Sequence, residues 1–121
     1  MFREKLQEIV ERTEGALGAF IMGMDGIAVE KLLLPEGQEV NLDVAAAEFT
    51  SLLRSSQRTG NDIGFGNLRE LVLVYHDLSL LIRLFNPEYF VMLALRPDGN
   101  LGRGRFELRK AELDLAREFA V

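Results

Sequence analysis

Three stretches in the second half of the chain are apolar without a break: Leu71-Val72-Leu73-Val74-Tyr75, Leu80-Leu81-Ile82 and Tyr89-Phe90-Val91-Met92-Leu93. A β-strand points successive side chains to opposite faces, so a sheet with one wet face alternates apolar and polar residues. These runs do not alternate, and both faces of the sheet they build must be covered. The predicted strands span 68–76, 78–85 and 89–96. Their separators, His76-Asp77 and Asn86-Pro87-Glu88, are too short for a crossover helix, so the strands are antiparallel neighbours joined by tight turns.

The rest of the chain supplies the covering layers. Phe2, Leu6, Ile9, Val10 and Thr13 recur at offsets of 4, 7, 8 and 11, one face of a helix that Gly15 stops. Two short apolar runs, 16–23 and 27–34, flank Met24-Asp25-Gly26 and read as a hairpin. After the loop at Pro35 and Gly37, Asn41 is an N-cap candidate with Asp43 in the first turn behind it. Leu42, Ala45, Ala46, Phe49, Leu52, Leu53 and Ser56 then form a broad apolar arc. Thr59-Gly60-Asn61-Asp62 is expected to break this middle helix, with Gly64 and Gly66 extending the loop. Pro97-Asp98-Gly99-Asn100 ends the last strand, and 103–119 closes as a helix with a stripe of Leu108, Ala111, Leu115 and Phe119. The expected fold is a single α/β (α+β) domain over 1–121. It is a five-stranded antiparallel sheet with helices on both faces, in the order α-β-β-α-β-β-β-α.

Charge and composition narrow the function classes. Nineteen acids against fourteen bases leave a net charge of −5, which argues against nucleic acid as a partner. The absence of cysteine excludes disulfides and thiolate metal or redox sites. No apolar run reaches the roughly 20 residues that cross a bilayer, so no membrane insertion is expected. The charged start MFREKLQEIVERTEG lacks a signal-peptide core, and a cytoplasmic location is expected.

Two motifs carry a family resemblance. Gly99-Asn100-Leu101-Gly102-Arg103-Gly104-Arg105, running into Phe106-Glu107-Leu108-Arg109-Lys110-Ala111, looks like the entry to the last helix of the Roadblock/dynein light chain family. Gly18-Ala19-Phe20-Ile21 with Met24-Asp25-Gly26 resembles that family's first hairpin, and the element order matches over essentially the whole chain. The resemblance implies a profilin-like sandwich with strand order β2-β1-β5-β4-β3, first and last helices on one face and the middle helix on the other. It also implies a dimer that regulates or scaffolds a nucleotide-hydrolysing partner such as a Ras-like small GTPase, and no enzymatic activity or cofactor of its own.

Each candidate site has a bland counterpart. His76 beside Asp77 suggests a general-base pair, but neighbours in a strand point to opposite faces, and an exposed turn pair is favoured. One histidine with scattered carboxylates is not a metal site. Gly99, Gly102 and Gly104 precede a helix as a phosphate loop would, yet their spacing matches no nucleotide-binding motif and a structural loop is favoured. Arg54, Arg58, Arg69, Arg83, Arg103, Arg105 and Arg109 raise the idea of an arginine finger, and nothing in the sequence chooses among them.

The middle helix and the third strand carry the interaction reading. Opposite the apolar arc, Val44, Ala47, Ser51, Arg54, Ser55 and Arg58 combine small residues with arginine, which suits close approach of another helix; a low-charge surface helix is the alternative. In the implied order Leu71, Val72, Leu73, Val74 and Tyr75 form an edge strand with no proline or lysine to block pairing. The expected dimer interface is therefore Val44, Ala47, Ser51, Arg54 and Arg58 with Leu71, Val72, Leu73, Val74 and Tyr75. A homodimeric regulator or scaffold of a Ras-like GTPase or other NTPase is the favoured reading. A small-ligand sensory domain of PAS or profilin-like type is the alternative; it requires a pocket with a few convergent polar groups.

Overall fold

The computed structural model describes residues 2–39 and 41–120. Among them run α1 (Phe2–Arg12), β1 (Ala16–Gly23), β2 (Ala28–Leu33), a 3-10 turn (Pro35–Glu39), α2 (Leu42–Asp62), β3 (Glu70–Val74), β4 (Ser79–Leu84), β5 (Tyr89–Leu95) and α3 (Leu101–Glu118). The strands form one antiparallel sheet in the order β2-β1-β5-β4-β3. Element order, strand order and the division of helices between faces all agree with the expectation.

The non-alternating strands are explained by two half-cores divided by strand parity. Ala19, Ile21, Leu81, Val91, Leu93 and Leu95 point to the face covered by α1 and α3, with Leu6, Ile9, Leu108, Ala111 and Leu115 over them. Phe20, Met22, Leu80, Ile82, Leu84, Phe90, Met92 and Ala94 point the other way, under Leu42, Ala46 and Leu53 of α2. α1 and α3 lie side by side and are tied where the Lys5 ammonium donates to Asp114 at 2.7 Å.

Several details differ from expectation. α2 continues through Gly60 to Asp62. One helical glycine costs only about 1 kcal/mol. The residues that end the run are Gly64 and Gly66, at φ +82° and +87°. Leu52, placed on the apolar arc, is 40% exposed, whereas Thr50 is buried with its hydroxyl donating to the Ala46 carbonyl at 2.8 Å. That local bond satisfies the polar group and lets threonine serve as core. α3 starts at Leu101 because the Asn100 side chain accepts from the Arg103 amide.

Of the glycines expected ahead of the last helix, only Gly99 precedes α3; Gly102 and Gly104 lie inside it. A Cβ on Gly104 would lie 2.7 Å from Leu81 Cδ1 and 3.0 Å from Leu93 Cδ2, so glycine lets the helix seat directly on the sheet. His76 and Asp77 lie in the turn after β3. Their side chains do meet, with Nδ1 2.8 Å from Oδ1, contrary to the opposite-face expectation, because a turn does not impose the strand's alternation. Both are almost fully exposed, at 98% and 93%, so no buried base is formed.

Candidate functional site

β3 bonds to β4 along one side only and ends the sheet on the other. Its odd-numbered residues follow the α2 face, where Leu71 and Leu73 pack partly buried against that half-core. Val72 packs against the α1/α3 half-core, and Val74 and Tyr75 are 68% and 51% exposed. The opposite edge, β2, is held differently. It carries Glu30 and Lys31, with Lys31 reaching Asp43 on α2 at 3.0 Å and Arg3 bonding the Lys31 carbonyl. One edge is therefore dressed in charge and the other is apolar and open.

Contacts across α2 orient its exposed face. Asp43 turns toward β2 through Lys31, and Arg54 donates to the Met24 carbonyl in the β1–β2 turn. Phe49 turns toward the β3 edge, its ring 6.3 Å from that of Tyr75. At 100° per residue, Ala47 and Arg58 share the Arg54 slope, Val44 and Ser51 form the crest, and Glu48, Leu52, Ser55 and Thr59 descend toward β3. Of the residues expected at an interface, all five on α2 are exposed. Arg54 is committed to its own chain, and the flank that adjoins β3 includes Leu52, which the sequence pattern assigned to the core.

A charged strut holds β3 in place. Arg83 on β4, only 7% exposed, donates to Glu112 on α3 at 2.9 Å and lies 3.5 Å from Glu70, the first residue of β3. Arg105 on α3 adds two bonds to Glu70, at 3.1 and 2.6 Å. Burial pushes the Glu70 carboxyl up. The Arg105 hydrogen bonds and the charges of Arg105, Arg83 and Arg109 outweigh that and hold it below its ordinary range. A carboxyl held low in the folded state stabilises above its unfolded pKa and loses that contribution as pH falls through the folded one. Urea denaturation should therefore show wild type more stable than Glu70→Gln at neutral pH, with the gap narrowing as pH drops below about 4.5. A gap that stays constant down to acid pH contradicts the strut. A second ionic group was also invisible in the sequence. Glu107 is 1% exposed where α3 meets α1, beside Lys5, Glu8 and Ile9, and is paired with Arg103 at 2.7 Å and Lys110 at 3.4 Å.

These pairings sort the arginines. Arg54, Arg83, Arg103 and Arg105 are bonded within the chain. The guanidinium groups of Arg58, Arg69 and Arg109 make no ion pair or hydrogen bond among the described residues. Arg58 stands on the outer face of α2, and Arg69 immediately precedes β3. No group of three or more His, Cys, Asp or Glu among the described residues is arranged to hold a metal ion. No helix among them is long and apolar enough to cross a membrane.

The shape and the sequence together define the class. The fold superposes on a Roadblock/LC7 domain from Streptomyces avermitilis with a TM-score of 0.81, at 15% identity over 95% of this chain and 94% of that one. It matches the gliding protein MglB from Thermus thermophilus with a TM-score of 0.84, at 19% identity over 95% and 85%. At those identities the likeness shows the fold. MglC from Myxococcus xanthus is closer in sequence, with 34% identity over 98% of both chains and a TM-score of 0.69. The chain belongs to the Roadblock/LC7 family. No protein-family model and no curated protein matches it.

Proposed function

We propose that this chain is a non-catalytic homodimeric regulator of a Ras-like small GTPase, self-associating through β3 and the adjoining crest and flank of α2. The observation that carries the reading is the contrast between the two sheet edges: β2 is guarded by charge, and β3 is apolar and open. Two copies of β3 meeting about a two-fold axis run antiparallel and join the sheets into one. That axis stands perpendicular to the sheet, so both copies of α2 lie on the same side of it and approach through the flank bearing Leu52 and Ser55. Membership of the Roadblock/LC7 family and the 34% identity to MglC support a place in GTPase regulation. The dimer presents a surface that neither copy has alone. A partner held there has its own switch segments ordered or restrained, an effect on populations rather than on bonds.

The test combines capture and kinetics. The tagged chain is expected to recover a Ras-like GTPase identified by mass spectrometry, and adding the purified chain should change that GTPase's rate of GTP hydrolysis. The chain alone should turn over no GTP. Turnover by the purified chain that a point mutation in it abolishes overturns the non-catalytic reading; a recovered GTPase whose rate is unmoved overturns the regulatory one.

A further inference from the structure

A concavity lies beside the open edge. It is a groove of about 570 Å³ between the second half of α2, the loop 63–69 and the start of β3. Ser55 and Thr59 line it on the helix side, and Ile63, Phe65 and Leu68 on the loop side. The loop displays its apolar residues instead of burying them: Ile63 is 58% exposed and Phe65 is 81% exposed. The groove is thus an apolar trough with a hydroxyl-bearing wall. β3 ends at Val74, one residue short of the expected edge strand, and just past that end stands Tyr75, half exposed, on the α2 side beside Phe49.

Antiparallel pairing of two β3 strands sets the end of one against the start of the other. Residues directly opposite each other in such a pair project to the same face of the sheet. Pairing about Val72, extended one residue past β3 at each end, sets position 75 of one copy against position 69 of the other, with Tyr75 kept on the α2 face where it stands beside Phe49. We propose that the groove is the seat of the partner's Tyr75, so that each dimer buries two tyrosines reciprocally. The chemistry is matched: the ring meets Ile63, Phe65 and Leu68, while the phenolic hydroxyl reaches the wall of Ser55 and Thr59. A tyrosine needs both, because its body is apolar and its buried hydroxyl requires a partner. The seat also accounts for Ile63 and Phe65, exposed apolar residues that a single chain leaves uncovered.

This inference rests on the self-association proposed above, and its test separates the two. Sedimentation equilibrium is run on wild type, Tyr75→Ala, Tyr75→Phe and Thr59→Arg, with circular dichroism confirming that each is folded. Central, desolvated aromatic anchors are worth about 30-fold or more in dissociation constant. Tyr75→Ala and Thr59→Arg, which empty the seat from opposite sides, should each weaken the dimer by about that factor, whereas Tyr75→Phe should weaken it only a few-fold. Dimers of Tyr75→Ala and Thr59→Arg as tight as wild type overturn the seat while leaving the β3 interface standing. A wild type that never dimerises overturns both. A small molecule copurifying with the wild-type chain, lost from Thr59→Arg and seen by native mass spectrometry, overturns the seat in favour of a ligand pocket.

Discussion

Leu52→Glu is expected to yield a folded monomer. Leu52 is 40% exposed on the flank of α2 that descends to β3, so the single chain accommodates a polar residue there at modest cost. In the proposed dimer the same position faces the partner's helix, and a carboxylate in it loses water without gaining a counter-charge. The penalty for an unpaired desolvated charge is several kcal/mol. A micromolar dimer is worth about 8 kcal/mol, so a loss of that size raises the dissociation constant beyond ordinary working concentrations. Ala47→Glu is the companion variant. Ala47 shares the slope of Arg54, which is bonded toward the β1–β2 turn, so its effect on association should be much smaller. The opposite ranking, Ala47→Glu dissociating and Leu52→Glu not, would place the partner over the β2 side of the helix. Sedimentation velocity with circular dichroism reads both quantities.

The second large effect concerns stability. Phe90→Ala should lower the unfolding free energy by about 3–5 kcal/mol, the usual cost of removing a buried phenylalanine. Phe90 is fully buried on β5 in the half-core under α2, among Phe20, Met22, Ile82 and Leu53. No backbone shift closes a void between the central strands and a helix spanning them. Phe65 is the contrast, since it is 81% exposed and its truncation should change the stability of the folded monomer by less than about 0.5 kcal/mol. Urea denaturation at a concentration where the dimer is dissociated separates the two. Equal losses for Phe90→Ala and Phe65→Ala would contradict the assignment of core and surface.

The sheet was legible because its signal is one of composition. A strand covered on both faces needs no polar alternation, and 71–75, 80–82 and 89–93 show none. Short separators then allowed only antiparallel neighbours, and the Asp-Gly turn supplied the first hairpin. Helix ends were harder. Gly60 reads as a breaker, yet the positive φ angles that end α2 fall at Gly64 and Gly66, and spacing alone does not reveal which glycine turns left-handed. Burial of polar residues was not legible at all. Thr50, Arg83 and Glu107 are buried because each finds a bond or an opposite charge: Thr50 on its own helix, Arg83 across elements, Glu107 with cations one turn away. A wider search for opposite charges among Glu70, Arg83, Arg105 and Glu112 required knowing that β3, β4 and α3 meet.

The geometry behind the proposed interaction surface was half legible. The openness of β3 could be read from residue types once the strand order was granted, since apolar residues without lysine or proline stand at an edge. The direction in which α2 faces could not. Periodicity gives the arc opposite the core but not which side of that arc adjoins β3, and only Asp43 to Lys31, Arg54 to Met24 and Phe49 beside Tyr75 settle it. The groove was hidden for a further reason: its walls come from α2 and from a loop that the glycines had marked only as a break.

Sedimentation equilibrium of the unmodified chain over roughly 1–100 μM, the range in which a dimer worth about 8 kcal/mol forms, tests the central claim most directly. A species approaching twice 13.6 kDa is expected as concentration rises. A single species of 13.6 kDa across the whole range would contradict it.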